Sequence, residues 1–153
     1  MKKIISVILI FYSICTAFAQ SVENNKLKIS FNDFFKKDTI SLKINKNEII
    51  SNLVITSRES IGFADLDVTI LDCNKVKIYN KVIVSNTSTV SNKELILKRK
   101  LKFKSIINLS LTLNGKKQEF KIDLKKGKYI GLSKDDVKAE FILSQSEHSF
   151  EYD

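Results

Sequence analysis

KSIINLSLTLNGKKQEFKIDLKKGKYIGL, residues 104–132, decides the fold class. Ile107, Leu109, Leu111 and Leu113 alternate with Asn108, Ser110 and Thr112, the period of a strand with one buried face. Asn114-Gly115 follows. A type I′ hairpin turn needs positive φ at both central residues, and this dipeptide is the one that tolerates it best. Phe120, Ile122 and Leu124 then alternate with Lys121 and Asp123, Lys126-Gly127 interrupts, and Lys128-Tyr129-Ile130 resumes. A two-residue loop pairs Leu113 with Lys116, Leu111 with Gln118, Leu109 with Phe120 and Ile107 with Ile122. Thr112, Ser110 and Asn108 then face Lys117, Glu119 and Lys121. A slip of one residue would set Phe120 and Ile122 opposite Ser110 and Asn108, so the alternation selects one register.

The same period recurs along the chain. Leu27, Ile29 and Phe31 form a first strand. Asn32 to Asp38 reads as a turn that tucks one of Phe34 and Phe35 under the sheet. Ile40 to Ile44, the turn Asn45-Lys46-Asn47 and Ile49 to Ile55 make a hairpin. A polar loop, Thr56 to Gly62, leads to Leu66, Val68 and Ile70, then the turn Asp72-Cys73-Asn74-Lys75. Val76 and Ile78 follow, with a break expected near Asn80-Lys81 before Val82 to Val84. Residues 86–92 read as a loop within one domain. Leu95, Leu97, Leu101 and Phe103 predict one strand, and Val137, Ala139, Phe141 and Leu143 the last one. No segment shows a helical repeat. Short strands at close turn spacing predict an all-β, antiparallel β-sandwich of about eight to ten strands, immunoglobulin-like or transthyretin-like in topology.

The N-terminus reads as a leader. Lys2 and Lys3 precede the apolar run Ile4 to Ile14, and Ala17-Phe18-Ala19 is an A-x-A cleavage site. Residues 1–19 are therefore expected to be a signal peptide and residues 20–153 a single β-sandwich domain. Cys15 suggests a lipoprotein, but Ile14 stands where a lipobox needs a small residue. No second run is long enough to span a bilayer. An outer-membrane barrel fits poorly, because its strands need an apolar band flanked by aromatic girdles, while Trp is absent here and the last strand carries charges. The expected location is secreted or periplasmic.

Lys, Asn and Ile are abundant while Arg occurs twice and Pro not at all. These three have AT-rich codons, so part of the net charge of +9 reflects genome composition. Its distribution is more informative. Residues 93–128 carry 12 basic and 3 acidic side chains, and residues 129–153 carry 2 and 6. Lys98, Lys100, Lys102 and Lys104 lie two apart and would share one face of an unbroken strand. That face could bind an anionic polysaccharide or another envelope polymer. It could equally be a solvated face that discourages edge aggregation. Nucleic acid is not an expected partner, since Phe103 and Phe120 are the aromatics of the basic segment and both fall on its core face.

No catalytic constellation emerges. Cys73 is the one cysteine after leader removal, and the single histidine, His148, lies in the tail. There is no G-x-S-x-G elbow and no ligand-spaced cluster. Asp65 and Asp67 would share a strand face and raise a calcium site, but the D-x-D-x-D-G loop is missing. The chain is therefore read as non-enzymatic, with no cofactor and no metal site. Two functions compete: a binding or accessory module of the cell envelope, and an assembly protein that pairs strand edges with an envelope partner.

Leu113-Asn114-Gly115, Phe120 to Ile130, Gln145-Ser146 and the closing Phe150-Glu151-Tyr152-Asp153 resemble small exported proteins of Bacteroidota of unknown function. The resemblance implies an extracytoplasmic location in a Gram-negative cell and transfers no site residue.

Overall fold

The computed structural model describes residues 27–58, 63–72, 75–83, 90–98, 101 and 104–150. The leader, Cys73, Lys100 and Lys102 lie outside these residues. Ten strands form: β1 (Leu27–Phe31), β2 (Asp38–Ile44), β3 (Asn47–Ile55), β4 (Leu66–Asp72), β5 (Lys75–Ile83), β6 (Val90–Lys98), β7 (Ile106–Leu113), β8 (Lys116–Asp123), β9 (Tyr129–Asp135) and β10 (Glu140–Ser146). A 3-10 turn, Leu124–Lys126, separates β8 from β9. The strands build a six-stranded sheet, β10-β9-β1-β4-β5-β6, and a four-stranded sheet, β3-β2-β7-β8.

The β7–β8 hairpin has the register that its alternation dictates, from Leu113 opposite Lys116 to Ile107 opposite Ile122. Asn114 and Gly115 both take positive φ, 49° and 87°. Ile107, Leu109, Leu111 and Leu113 are fully buried, while Phe120 packs half-buried at the core margin. These side chains meet Ile29, Phe31, Val68, Ile130 and Leu132 of the larger sheet in one continuous core. Each such burial contributes roughly 1.5–3 kcal/mol. Phe35 is buried and its neighbour Phe34 is 55% exposed, as the turn between β1 and β2 required. Phe35 packs with Phe31 and with Phe141 at ring-centroid distances of 6.1 Å, and Phe31 and Phe141 lie 6.4 Å apart.

The sheets are not wholly antiparallel. β1 pairs with β9 in parallel, with Ile29 opposite Ile130. β1 and β9 enter the sheet from the same end, because β9 is fed by a link from the far sheet rather than by a hairpin. The immunoglobulin order, in which the first strand lies beside the second, is not found: β2 crosses to the opposite sheet. Without β5 and β6, the order β10-β9-β1-β4 facing β3-β2-β7-β8 is the transthyretin-like one.

Four boundaries differ from the sequence expectation. β5 runs through Asn80-Lys81 without a break, and β6 begins at Val90, inside the expected loop. β6 also ends at Lys98, so the strand expected to reach Phe103 is cut short, and the chain crosses to the other sheet with Leu101 buried. β10 begins at Glu140, and Val137 is 94% exposed in the preceding turn. That turn forms because Asp135 Oδ1 accepts the N–H groups of Val137 and Lys138 at 2.9 and 3.0 Å. Ala139 closes it at φ 51°. A local Asx bond has overridden the hydrophobic alternation there.

Candidate binding surface at the basic end of the sandwich

Strand direction sorts the charges between two ends. In the small sheet Ile106 faces Asp123 and Ile44 faces Leu109. In the large sheet Asp72 faces Lys75, Lys75 faces Lys98, and Lys28 faces Tyr129. The short link 124–128 carries β8 into β9, so these strand termini share one end of the sandwich. Bonds across that end hold it together: Leu124 N–H donates to Ser105 O at 2.8 Å, and Gln145 Nε2 donates to Asp123 O and Gly127 O at 2.7 and 2.8 Å.

Lys46 in the β2–β3 turn, Lys75, Lys98, Lys104, Lys125 and Lys126 all emerge at this end and are exposed. Lys46, Lys98, Lys104, Lys125 and Lys126 form no ion pair with a residue whose side chain is described, and Lys75 lies opposite Asp72 in the β4–β5 ladder. Lys75 and Lys98 are directly opposite each other, an unfavourable like-charge pair. Asp72 faces Lys75 across the ladder, and the nearby Glu48, Asp123 and Glu147 carboxylates form no ion pair with Lys46, Lys98, Lys104, Lys125 or Lys126 among the described side chains. The Asp123 carboxylate caps the 3-10 turn by accepting Lys125 N–H, Glu48 lies 3.7 Å from Lys43, and Glu147 stands alone just past β10.

The rest of the surface is different. Lys28 pairs with Asp67 at 3.1 Å, Lys77 with Glu94 at 3.0 Å, Lys116 with Glu140 at 2.6 Å and Lys117 with Glu119 at 2.6 Å. The Lys117 contact holds the Glu119 carboxyl below its usual range. At the opposite end Lys36 meets Asp136 at 3.2 Å. There Asp38, nearly buried, accepts from Lys36 N–H, Asn114 Nδ2 and Lys134 Nζ. Burial opposes its ionisation, but these donors outweigh burial and hold its carboxyl below the usual range. Among the described lysines, Lys37 and Lys138 also form no ion pair, but Lys138 acts on the Asp135 carboxylate and both lie at the opposite end, while Lys121 on β8 is exposed close to the basic end. The basic end is thus the place where unneutralised positive charge accumulates, which raises the local concentration of anions.

Of the lysines picked from spacing, Lys98 and Lys104 are described. They do not lie on one strand, since Lys98 ends β6 in the large sheet and Lys104 precedes β7 in the small one. The fold still returns both to the same end. Lys46 and Lys75 join them there from distant parts of the chain, and no local spacing could have signalled that.

Asp65 does not share a strand face with Asp67. It precedes β4 at φ 49°, where Arg58 Nη2 donates to its Oδ1 at 2.6 Å. Arg58 Nε also lies 2.6 Å from Oδ2 but off the N–H direction, so that second contact is Coulombic. Asp67 is held by Lys28. Both carboxylates border a cleft of about 210 Å³ on the outer face of the large sheet, with Tyr79, Tyr129 and Phe150. No group of three or more His, Cys, Asp or Glu is placed to hold a metal ion among the described residues. His148 is exposed in the tail.

Fold and surface together define a β-sandwich with one strongly basic end. No helix among the described residues is long and apolar enough to cross a membrane. Comparison with protein-family models, with curated proteins and with solved structures gives no match.

Proposed function

We propose that this chain is an exported, non-enzymatic binding module of the cell envelope that engages an anionic polymer through the basic end of its sandwich. The observation that carries this reading is the contrast in pairing. Exposed lysines elsewhere mostly sit against carboxylates, whereas Lys46, Lys98, Lys104, Lys125 and Lys126 form no ion pair among the described side chains, and Lys75 adds a further positive charge beside Lys98. The leader-like residues 1–19 and the resemblance to exported Bacteroidota proteins support the location. A polyanion suits the site better than a small anion, because the lysines are spread over several strand ends and none of them lines either cleft found among the described residues. Retention on immobilised dextran sulfate over a salt gradient tests the reading. The protein should elute late, and Lys98→Gln/Lys104→Gln/Lys125→Gln/Lys126→Gln should elute much earlier. Unchanged elution of that variant would remove the basic end from consideration.

A second reading, assembly with an envelope protein through strand-edge pairing, is favoured by β6. It is a long, regular edge strand with exposed apolar side chains on both faces.

A further inference from the structure

The sandwich has four edge strands, and three are obstructed. β8 and β10 are joined to each other: Gln118 Oε1 accepts Phe141 N–H at 2.6 Å, and Gln118 Nε2 reaches Phe141 O at 3.4 Å. β3 is irregular, with register shifts against β2 and Asn52 at φ 48°. β6 pairs with β5 over its full length without a shift, from Val90 opposite Ile83 to Lys98 opposite Lys75, and among the described residues no strand or side-chain bond occupies its other side. It also exposes Leu95 by 53% and Ile96 by 56%, one on each face. An open edge of this kind is a template for another strand.

The side chains of β6 specify which strand. Glu94, Ile96 and Lys98 lie on the outer face, opposite Tyr79, Lys77 and Lys75, and Leu95 and Leu97 lie on the inner face. A two-fold axis through Ile96, perpendicular to the sheet, keeps each face on its own side. It sets Ile96 against Ile96 of the second copy, Leu95 against Leu97, and Glu94 against Lys98, the last two pairs occurring twice. Moving the axis to Leu95 sets Glu94 against Ile96 instead, and moving it to Glu94 opposes two carboxylates. Only the Ile96 register matches apolar to apolar and opposite charges together. It also brings a carboxylate beside Lys98, whose own cross-strand neighbour is the like-charged Lys75.

We propose that β6 pairs antiparallel with β6 of a second copy of this chain, centred on Ile96, to make a twelve-stranded continuous sheet from the two six-stranded ones. The proposal rests on the strand-edge reading and names its partner. A two-strand edge contact is smaller than a standard interface of about 1,600 Å², so the association is weak and concentration-dependent.

Sedimentation velocity of the full chain as the cell processes it, from micromolar to millimolar, tests it. The wild type should shift from monomer to dimer. Ile96→Lys should abolish the shift. Glu94→Lys and Lys98→Glu should each weaken dimerisation at least about tenfold through like-charge contact, and the double variant Glu94→Lys/Lys98→Glu should restore most of it. Circular dichroism melts confirm that these exposed substitutions leave the fold intact. A wild type that stays monomeric overturns the second copy as the partner. A dimer that Ile96→Lys leaves intact overturns the strand-edge reading as well. A dimer that Ile96→Lys breaks but the charge exchange fails to restore overturns the Ile96 register and with it the pairing proposed here.

Discussion

The carboxylate of Asp38 on β2 lies 3.0 Å from the ammonium of Lys134 on β9, so one nearly buried ion pair ties the two sheets together. Asn114, in the β7–β8 turn, donates to the same carboxylate at 2.6 Å. The turn that registers the small sheet is thereby anchored to a contact between both sheets.

Removing one partner of such a pair leaves the other charge stranded. Asp38→Ala should destabilise the fold by about 3 kcal/mol, near the lower end for buried pairs because Lys134 keeps slight solvent access. Asp38→Ala/Lys134→Met should recover part of that loss. Urea denaturation of the two variants measures both, and equal stability of Asp38→Ala and wild type would show that the pair contributes nothing.

The same pair sets a pH dependence. The native Asp38 carboxyl titrates below its ordinary value, so between the native and unfolded values the unfolded chain binds the extra proton. Stability from Asp38 is therefore fully present above the unfolded carboxylate pKa of about 4 and is lost as pH falls through the lower native value. The stability gap between wild type and Asp38→Asn should be constant near neutrality and close in acid. A gap that widens on acidification would reverse the sign argued here.

Two glycines should differ in their sensitivity. At Gly115 an added Cβ meets nothing within 4 Å, so Gly115→Ala carries only the left-handed backbone penalty of about 1–2 kcal/mol. At Gly127, φ is 131° and a Cβ would come within 2.0 Å of Ser146 O, which belongs to the strand end that closes the basic pole. Gly127→Ala should cost clearly more than Gly115→Ala in thermal or urea unfolding. The reverse order would mean that β10 can move away from the link before β9.

Alternation alone places Val137 and Leu111 in equivalent settings, but the fold does not. Leu111 is fully buried and Val137 is 94% exposed. Leu111→Ala should cost about 2–5 kcal/mol, and Val137→Ala about 0.5 kcal/mol or less. Comparable losses at both positions would place Val137 in the core.

The lysines of the basic end and those of the paired surface should separate in polyanion binding. Lys36, Lys116 and Lys117 already contact Asp136, Glu140 and Glu119. Lys36→Gln/Lys116→Gln/Lys117→Gln should therefore elute from dextran sulfate close to wild type, unlike the variant of the basic end. Equal shifts from both triple and quadruple changes would mean that net charge, rather than position, governs retention.

The residue order by itself determined the class of fold and the β7–β8 register. Alternation and an Asn-Gly turn are local, and a period of two allows one register in which every apolar side chain points inward. It also placed one aromatic of the Phe34-Phe35 pair under the sheet, and the tertiary structure decided that it is Phe35. What it could not determine lies in contacts between distant segments. The parallel β1–β9 pair depends on which end each strand enters. The Asp38–Lys134 pair joins residues 96 positions apart. Lys46 and Lys75 meet Lys98 and Lys104 at one end only because antiparallel strands return the chain to the same place. Spacing along a strand can report a face, but the assembly of a surface from strand ends is a property of strand order, which the tertiary packing of the two sheets decides.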